Sequence, residues 1–149
     1  MELFIESSKT DQLRQGAVVV IARTGTNLCP VAMLERYMAM AALLPGESDS
    51  FLFRGITQTK NGSKLREKGG LSYTTVREAV LAKLEAIGLD KRQYGLHSLR
   101  AGGASAAANA GVPDRMFKRH GRWRSENAKD GYVKDSLDNR LQVSKKIGL

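Results

Sequence analysis

The sequence predicts a mainly α-helical chain with a small N-terminal β-hairpin, an α+β domain. Three observations predict it. Two short apolar runs, LFI (3–5) and AVVVIA (17–22), flank a polar stretch ending in Gly16, the pattern of two paired strands. Beyond them apolar residues recur at three- and four-residue spacing, the period of a helix buried on one side. The last third is punctuated by Gly111, Gly121 and Gly131, which divide it into short helical runs joined by tight turns.

The connection of the hairpin, SSKTDQLRQG, carries Lys9 and Arg14. In CPVAMLERYMAMAALLPG, Pro30 stands at a first helical position, where its missing N–H is no loss. Val31, Leu34, Met38 and Ala41 then share a stripe, and Pro45 and Gly46 are expected to end the helix. FLF (51–53) is expected as a short buried segment. QTKNGSKLREKGG has four Gly/Asn residues and no apolar period, so it reads as a mobile basic loop. Thr75 and Glu78 suit a capping box, with Val76, Val80, Leu84 and Ile87 at helical spacing until Gly88.

Next comes HSLRAGGASAAANAG (97–111). His97 and Arg100 are three apart, on one helix face. Nine of the eleven residues 101–111 are Ala or Gly, all but Ser105 and Asn109, which predicts a slim rod able to pack closely and hold that face steady. Pro113 opens a further run to Gly121, Ser125 suits a cap for a third, and Leu137 to Ile147 forms a last run with Leu137, Leu141 and Val143 on its apolar side.

Composition excludes several classes. At 149 residues the chain is expected to be one domain with a sizeable core. No apolar run approaches the ~18 residues that span a bilayer. MELFIESS lacks the basic-then-apolar pattern of a secretory signal. The single Cys29 excludes an internal disulfide framework, and two histidines without Cys/His ligand spacing give a metal site no support. No cofactor is indicated, and a reducing intracellular setting, cytoplasm or nucleus, is expected. Of the net charge of +9, +8 lies in residues 91–149, which hold 13 Lys/Arg against 5 Asp/Glu. Such a block favours a polyanion.

That basic third also holds both histidines and the only tryptophan. His97-Ser98-Leu99-Arg100, then Trp123 in HGRW, then Tyr132 nine positions on, resemble the catalytic domain of the tyrosine recombinases, the phage-integrase family. Lys9 in SSKTDQ extends the resemblance over essentially the whole chain. It implies DNA cleavage and rejoining, as in site-specific recombination or integration of mobile elements, through a 3′-phosphotyrosyl intermediate with Tyr132 as nucleophile. It further implies Arg100 and His97 on the scissile phosphate, Trp123 donating its indole N–H there, and Lys9 protonating the departing 5′ oxygen. Duplex DNA is the implied substrate, with four protomers on two duplexes. Type IB topoisomerases share this chemistry.

The family pattern includes a further arginine upstream of the hairpin lysine, and residues 1–8 contain none. Its N-terminal DNA-clamping domain has no counterpart either. The expectation is therefore one catalytic domain over 1–149, incomplete at its N-terminus and close to inactive alone, with apolar surface exposed around Leu3, Ile5 and Val18 to Val20. The competing reading is a non-catalytic DNA reader. AAANAGVPDRMFKRHGRW also fits a helix-turn-helix, with Ala107, Gly111 and Val112 in the turn. On that reading Arg115 and Lys118 touch a groove and Tyr132 is inert; Arg115, Lys118, Arg119, Arg122 and Arg124 are the expected DNA-binding residues of the recombinase reading as well. A basic structural protein such as a ribosomal component explains the charge but not the spacing.

Overall fold

The computed structural model describes residues 1–9, 11–43 and 51–148. The chain divides into two compact units, Met1–Tyr73 and Thr74–Leu149.

In the first unit, β1 (Glu2–Ile5) and β2 (Ala17–Val20) pair antiparallel, with Leu3 opposite Val19 and Phe4 opposite Val18. Alternation puts Phe4, Val18 and Val20 on one face, all well exposed, while Ile5 and Val19 are half-buried opposite. The expected exposed apolar surface is there, though Phe4 rather than Ile5 is its largest part. Asp11 shapes the connection by accepting from the backbone N–H groups of Gln15 (3.1 Å) and Gly16 (2.8 Å).

Helix α1 (Pro30–Met40) begins at Pro30 as its sequence dictates. Val31 is buried and Leu34, Met38 and Ala41 are half-buried, so the stripe faces inward. The chain turns out of the helix at Ala42, in left-handed conformation (φ +51°), and the Leu43 N–H donates to the Met38 carbonyl (2.9 Å). Pro45 and Gly46 lie outside the described residues. Cys29, just before α1, is 1% exposed. N–H groups of Ala32 and Thr24 directed at its sulfur lower the thiol pKa to about 7.

Two expectations fail between 51 and 70. Phe51, Leu52 and Phe53 are exposed rather than buried. The stretch read as a mobile loop is a second antiparallel hairpin, β3 (Arg54–Thr59) and β4 (Gly62–Gly70). Asn61-Gly62 is the reason: Gly62 takes φ +116°, which a turn between paired strands requires and a side chain resists. Thr59 Oγ1 donates to the Gly62 carbonyl (2.7 Å) and ties the turn. Ile56 pairs with Leu65 and Thr57 with Lys64, after which a bulge leaves Arg66–Gly69 opposite Gly55 alone. The Ile56/Leu65 side forms, with Tyr37 and Met40 of α1 and Ala41 just after it, a cleft of about 210 Å³. The chain is thus α+β with two small sheets rather than one hairpin.

The second unit is helical. Helix α2 (Tyr73–Ala86) starts two residues before Thr75, so Thr75 lies in its first turn and the expected capping box does not open it. Ser72, a residue type that favours the flanking position, precedes it. Leu81 is its buried residue, and Ile87 is exposed past the helix end. After a 3₁₀ turn over Lys91–Gln93 comes α3 (Leu96–Asn109). It ends in a Schellman motif, with Val112 N–H on the Ala107 carbonyl, Gly111 N–H on that of Ala108, and Gly111 at φ +74°. Ala107 therefore belongs to the helix, not to the turn. Then follow α4 (Asp114–Gly121), α5 (Glu126–Asp130), capped by Ser125, and α6 (Leu137–Ile147), capped by Ser136. Contrary to expectation, Leu137, Leu141, Val143 and Ile147 of α6 face outward. The core is also thinner than the length suggests: the buried apolar residues among those described are Cys29, Val31, Leu81, Ala104 and Phe117. A helix of Ala and Gly brings little apolar surface to bury.

Candidate active site

Helix α3 opens at Gly95, whose N–H donates to Ser98 Oγ (3.0 Å) while the Ser98 N–H donates back to the Gly95 carbonyl (3.0 Å). This cap fixes the first turn, and with it the exposed side chains of His97 and Arg100. Tyr132 arrives from 35 residues away, at the end of α5, and its hydroxyl lies 3.4 Å from His97 Nδ1.

The Arg100 guanidinium sits 4.4 Å from the centre of the Trp123 ring and 5.6 Å from that of Tyr132. It also donates to the Gly121 carbonyl. A guanidinium has five N–H donors, so most remain for a ligand. Trp123 in turn packs on Tyr132 (5.7 Å between ring centres) and meets Phe117 of α4 edge-on (6.5 Å, 82°). Four of the residues singled out from sequence, His97, Arg100, Trp123 and Tyr132, therefore form one cluster. Lys9 is an exposed residue of the first unit, in the connection between β1 and β2.

Trp123 is placed differently from expectation. Its indole N–H is buried and has no hydrogen-bond partner among the described residues, and the ring face is what Arg100 meets. Gly121 is the cause. A Cβ there would stand 1.8 Å from Trp123 Cζ3, so only glycine lets the ring fold back over the end of α4. The left-handed position that closes this helix falls on Arg122 (φ +59°), a residue that pays a conformational penalty there.

Two elements of the site escaped the sequence reading. The first is the pair of polar exceptions in the slim helix. Ser105 Oγ donates to the Tyr132 carbonyl (3.3 Å) and accepts from the Lys134 N–H (2.9 Å). Asn109 donates to the Lys134 carbonyl (3.1 Å) and accepts from Ser136 N–H (2.9 Å) and Asn139 Nδ2 (3.0 Å). One turn apart on the same face, they stitch the Tyr132 segment to α3. The second is Lys129, 4% exposed, which ion-pairs with Asp114, Glu126 (2.9 Å) and Asp130 (3.2 Å) and lies 5.3 Å from the Phe117 ring centre. Hydrogen bonds from Lys118, then from Lys129, hold the Glu126 carboxyl down to about 2, and the carboxylates, Asp114 first, raise the Lys129 pKa. The signal in sequence was the Glu126/Lys129 spacing. That Asp114 completes the cluster depends on the fold.

Of the DNA-contact candidates, Arg115, Arg119 and Arg124 are exposed and Arg122 is half-buried. Lys118 turns to Glu126 and is only 26% exposed. Gly103, Ala104 and Ala107 line an open cleft of about 460 Å³ beside Arg100 and Trp123, so the slim face of α3 stays partly uncovered. No group of three or more metal-ligating side chains occurs among the described residues, and none of their helices is long and apolar enough to cross a membrane.

No family model matches the chain, and no solved structure matches it significantly. Among curated proteins, it is 30% identical over 146 residues to the integrase/recombinase xerD homolog of Selenomonas ruminantium. That similarity takes in 93% of this chain but 40% of the relative, so the chain spans well under half the length of the protein it resembles.

Proposed function

We propose that this chain cleaves and rejoins duplex DNA, with Tyr132 as nucleophile. The observation that carries the reading is the meeting of Tyr132 Oη with His97 Nδ1 at 3.4 Å beside the Arg100 guanidinium, the tyrosine coming from a segment 35 residues beyond the histidine. The similarity to an integrase/recombinase over most of the chain supports it.

In this reaction the phenolic oxygen attacks the scissile phosphorus and the 5′ oxygen leaves, producing a 3′-phosphotyrosyl ester and a 5′ hydroxyl. The ester stores the bond energy, so a partner strand's 5′ hydroxyl rejoins the DNA and frees the phenol without ATP. His97 takes the phenolic proton, across a gap of 3.4 Å that a bound substrate would shorten. Arg100 stabilises charge gathering on the non-bridging oxygens, and its stack on Trp123 keeps it preorganised. Lys9 protonates the leaving 5′ oxygen. Arg115, Arg119, Arg122 and Arg124 hold the phosphate backbone, and strand exchange engages four protomers on two duplexes.

Incubation with a nicked duplex that traps the covalent state tests this. A slowly accumulating protein–DNA adduct is expected, lost in Tyr132→Phe with duplex affinity kept within about twofold. An adduct that survives in Tyr132→Phe refutes the assignment. Duplex binding with no adduct favours the second reading, a DNA reader using α3, its Schellman turn and the exposed Arg115 and Arg119 of α4.

A further inference from the structure

We propose that the β3–β4 hairpin is a separate duplex-DNA contact, a ribbon that docks through its cations and hydroxyls. The inference rests on the DNA reading of the second unit but is carried by different residues.

Charge in the first unit is segregated. Residues 51–70 carry Arg54, Lys60, Lys64, Arg66 and Lys68 against Glu67 alone, whereas the rest of Met1–Tyr73 carries four cations against six carboxylates. A basic stretch is ordinarily a solvated surface. This one differs because its cations are carried on a hairpin, Lys64 at a paired position opposite Thr57, Lys60 in the turn and Arg66 and Lys68 in the bulge, and all four are exposed. The ion pair that Lys64 makes with Glu67 (3.0 Å) joins side chains 68% and 80% exposed, so water and salt leave it weak.

Hydrogen-bonding groups accompany the charge. Thr57 is opposite Lys64, Gln58 opposite Ser63 and Thr59 opposite Gly62, so hydroxyls and an amide run along the same exposed ribbon. These are the groups that, with Lys and Arg, make most contacts to phosphate oxygens. Arg66 lies against Gly55, where a Cβ would come within 3.2 Å of its Cδ, and the bulge leaves residues 66–69 without paired positions on the other strand. An isolated two-stranded ribbon is marginal in water and gains from a partner. The major groove, about 12 Å wide, admits such a ribbon. Residues 54–70 contain no aromatic side chain, which argues against single strands, whose binding relies on stacking platforms.

The test measures affinity of the full chain for a duplex across a salt series, comparing wild type with the triple variant Lys60→Ala, Lys64→Ala, Lys68→Ala. Three lost phosphate contacts should flatten the slope of log K against log salt by about 2–3 and weaken low-salt binding tenfold or more. Far-UV circular dichroism should not change. Glu67→Gln, which removes the sole carboxylate, should tighten binding about twofold, a gain that misfolding cannot mimic. Wild-type binding with an unaltered slope in the triple variant and no gain in Glu67→Gln overturns this inference and leaves the second-unit reading intact. A wild type that binds no duplex at low salt overturns both. A wild type that prefers single strands or RNA at equal salt, with that preference lost in the triple variant, overturns the duplex assignment.

Discussion

Gly121 is a residue whose replacement should be felt well beyond its own position. Gly121→Ala places a methyl inside the Trp123 ring, which must swing out and release Arg100. Thermal or denaturant unfolding should show a loss of about 1–3 kcal/mol, the usual range for overpacking. Arg122 should respond in opposite directions in two assays. Arg122→Gly relieves left-handed strain and is expected to raise stability by up to about 1 kcal/mol while weakening duplex binding. A variant unchanged in both would show that this arginine is neither strained nor used. Ser105→Ala removes the group that accepts the Lys134 N–H and donates to the Tyr132 carbonyl. Adduct formation should slow about tenfold with binding retained, which single-turnover kinetics at saturating duplex would read out. At this scale the sequence singled out His97, Arg100, Trp123 and Tyr132 by type and spacing, and the fold brings these four together. It did not show their supports. Ser105 and Asn109 stood out only as interruptions of an Ala/Gly run, and what they bond to comes from a segment some 30 residues later.

Among the elements, the helices were legible at their beginnings and less so in their faces. Pro30, Ser125 and the Gly111 turn fixed boundaries because capping is local chemistry. Orientation is decided by neighbours instead, so α6 presents Leu137, Leu141 and Ile147 to the outside and turns Asn139 inward toward Asn109. The β3–β4 hairpin was missed because its glycines and charges resemble a loop, yet Asn61-Gly62 was a turn signal in plain view. The smallest helix, α5, depends most on charge. Breaking a buried ion pair by removing one partner strands the others, so Lys129→Met should lower the melting temperature of the chain by roughly 5 °C or more. Recovery in Lys129→Arg would assign the loss to charge rather than to volume.

For the whole molecule, pH and salt act on different parts. The Glu126 carboxyl has a folded-state pKa near 2, below the ordinary carboxylate value, so its stabilisation is complete above about pH 4.5 and fades as the pH falls toward 2. Lys129 is raised, so its contribution is complete below its ordinary value near 10.5 and fades only as the pH climbs past it. A melting-temperature profile should therefore fall on the acid side, and Glu126→Gln should flatten that limb. Salt, by contrast, should act mainly on binding, given the net charge of +9. Composition revealed this much without a structure. That this basic chain consists of two compact units was not legible, because no linker of distinctive composition separates them.

Cys29 supplies a built-in reporter. It is the single sulfhydryl of the chain, is 1% exposed in the first unit, and lies far in sequence from every residue assigned to the second. A thiol reagent can reach it only when the start of α1 opens, so its labelling half-time is a stopwatch on that local opening. Followed with and without duplex, this clock would show whether DNA steadies the first unit, with no dye, tag or engineered residue to disturb the fold.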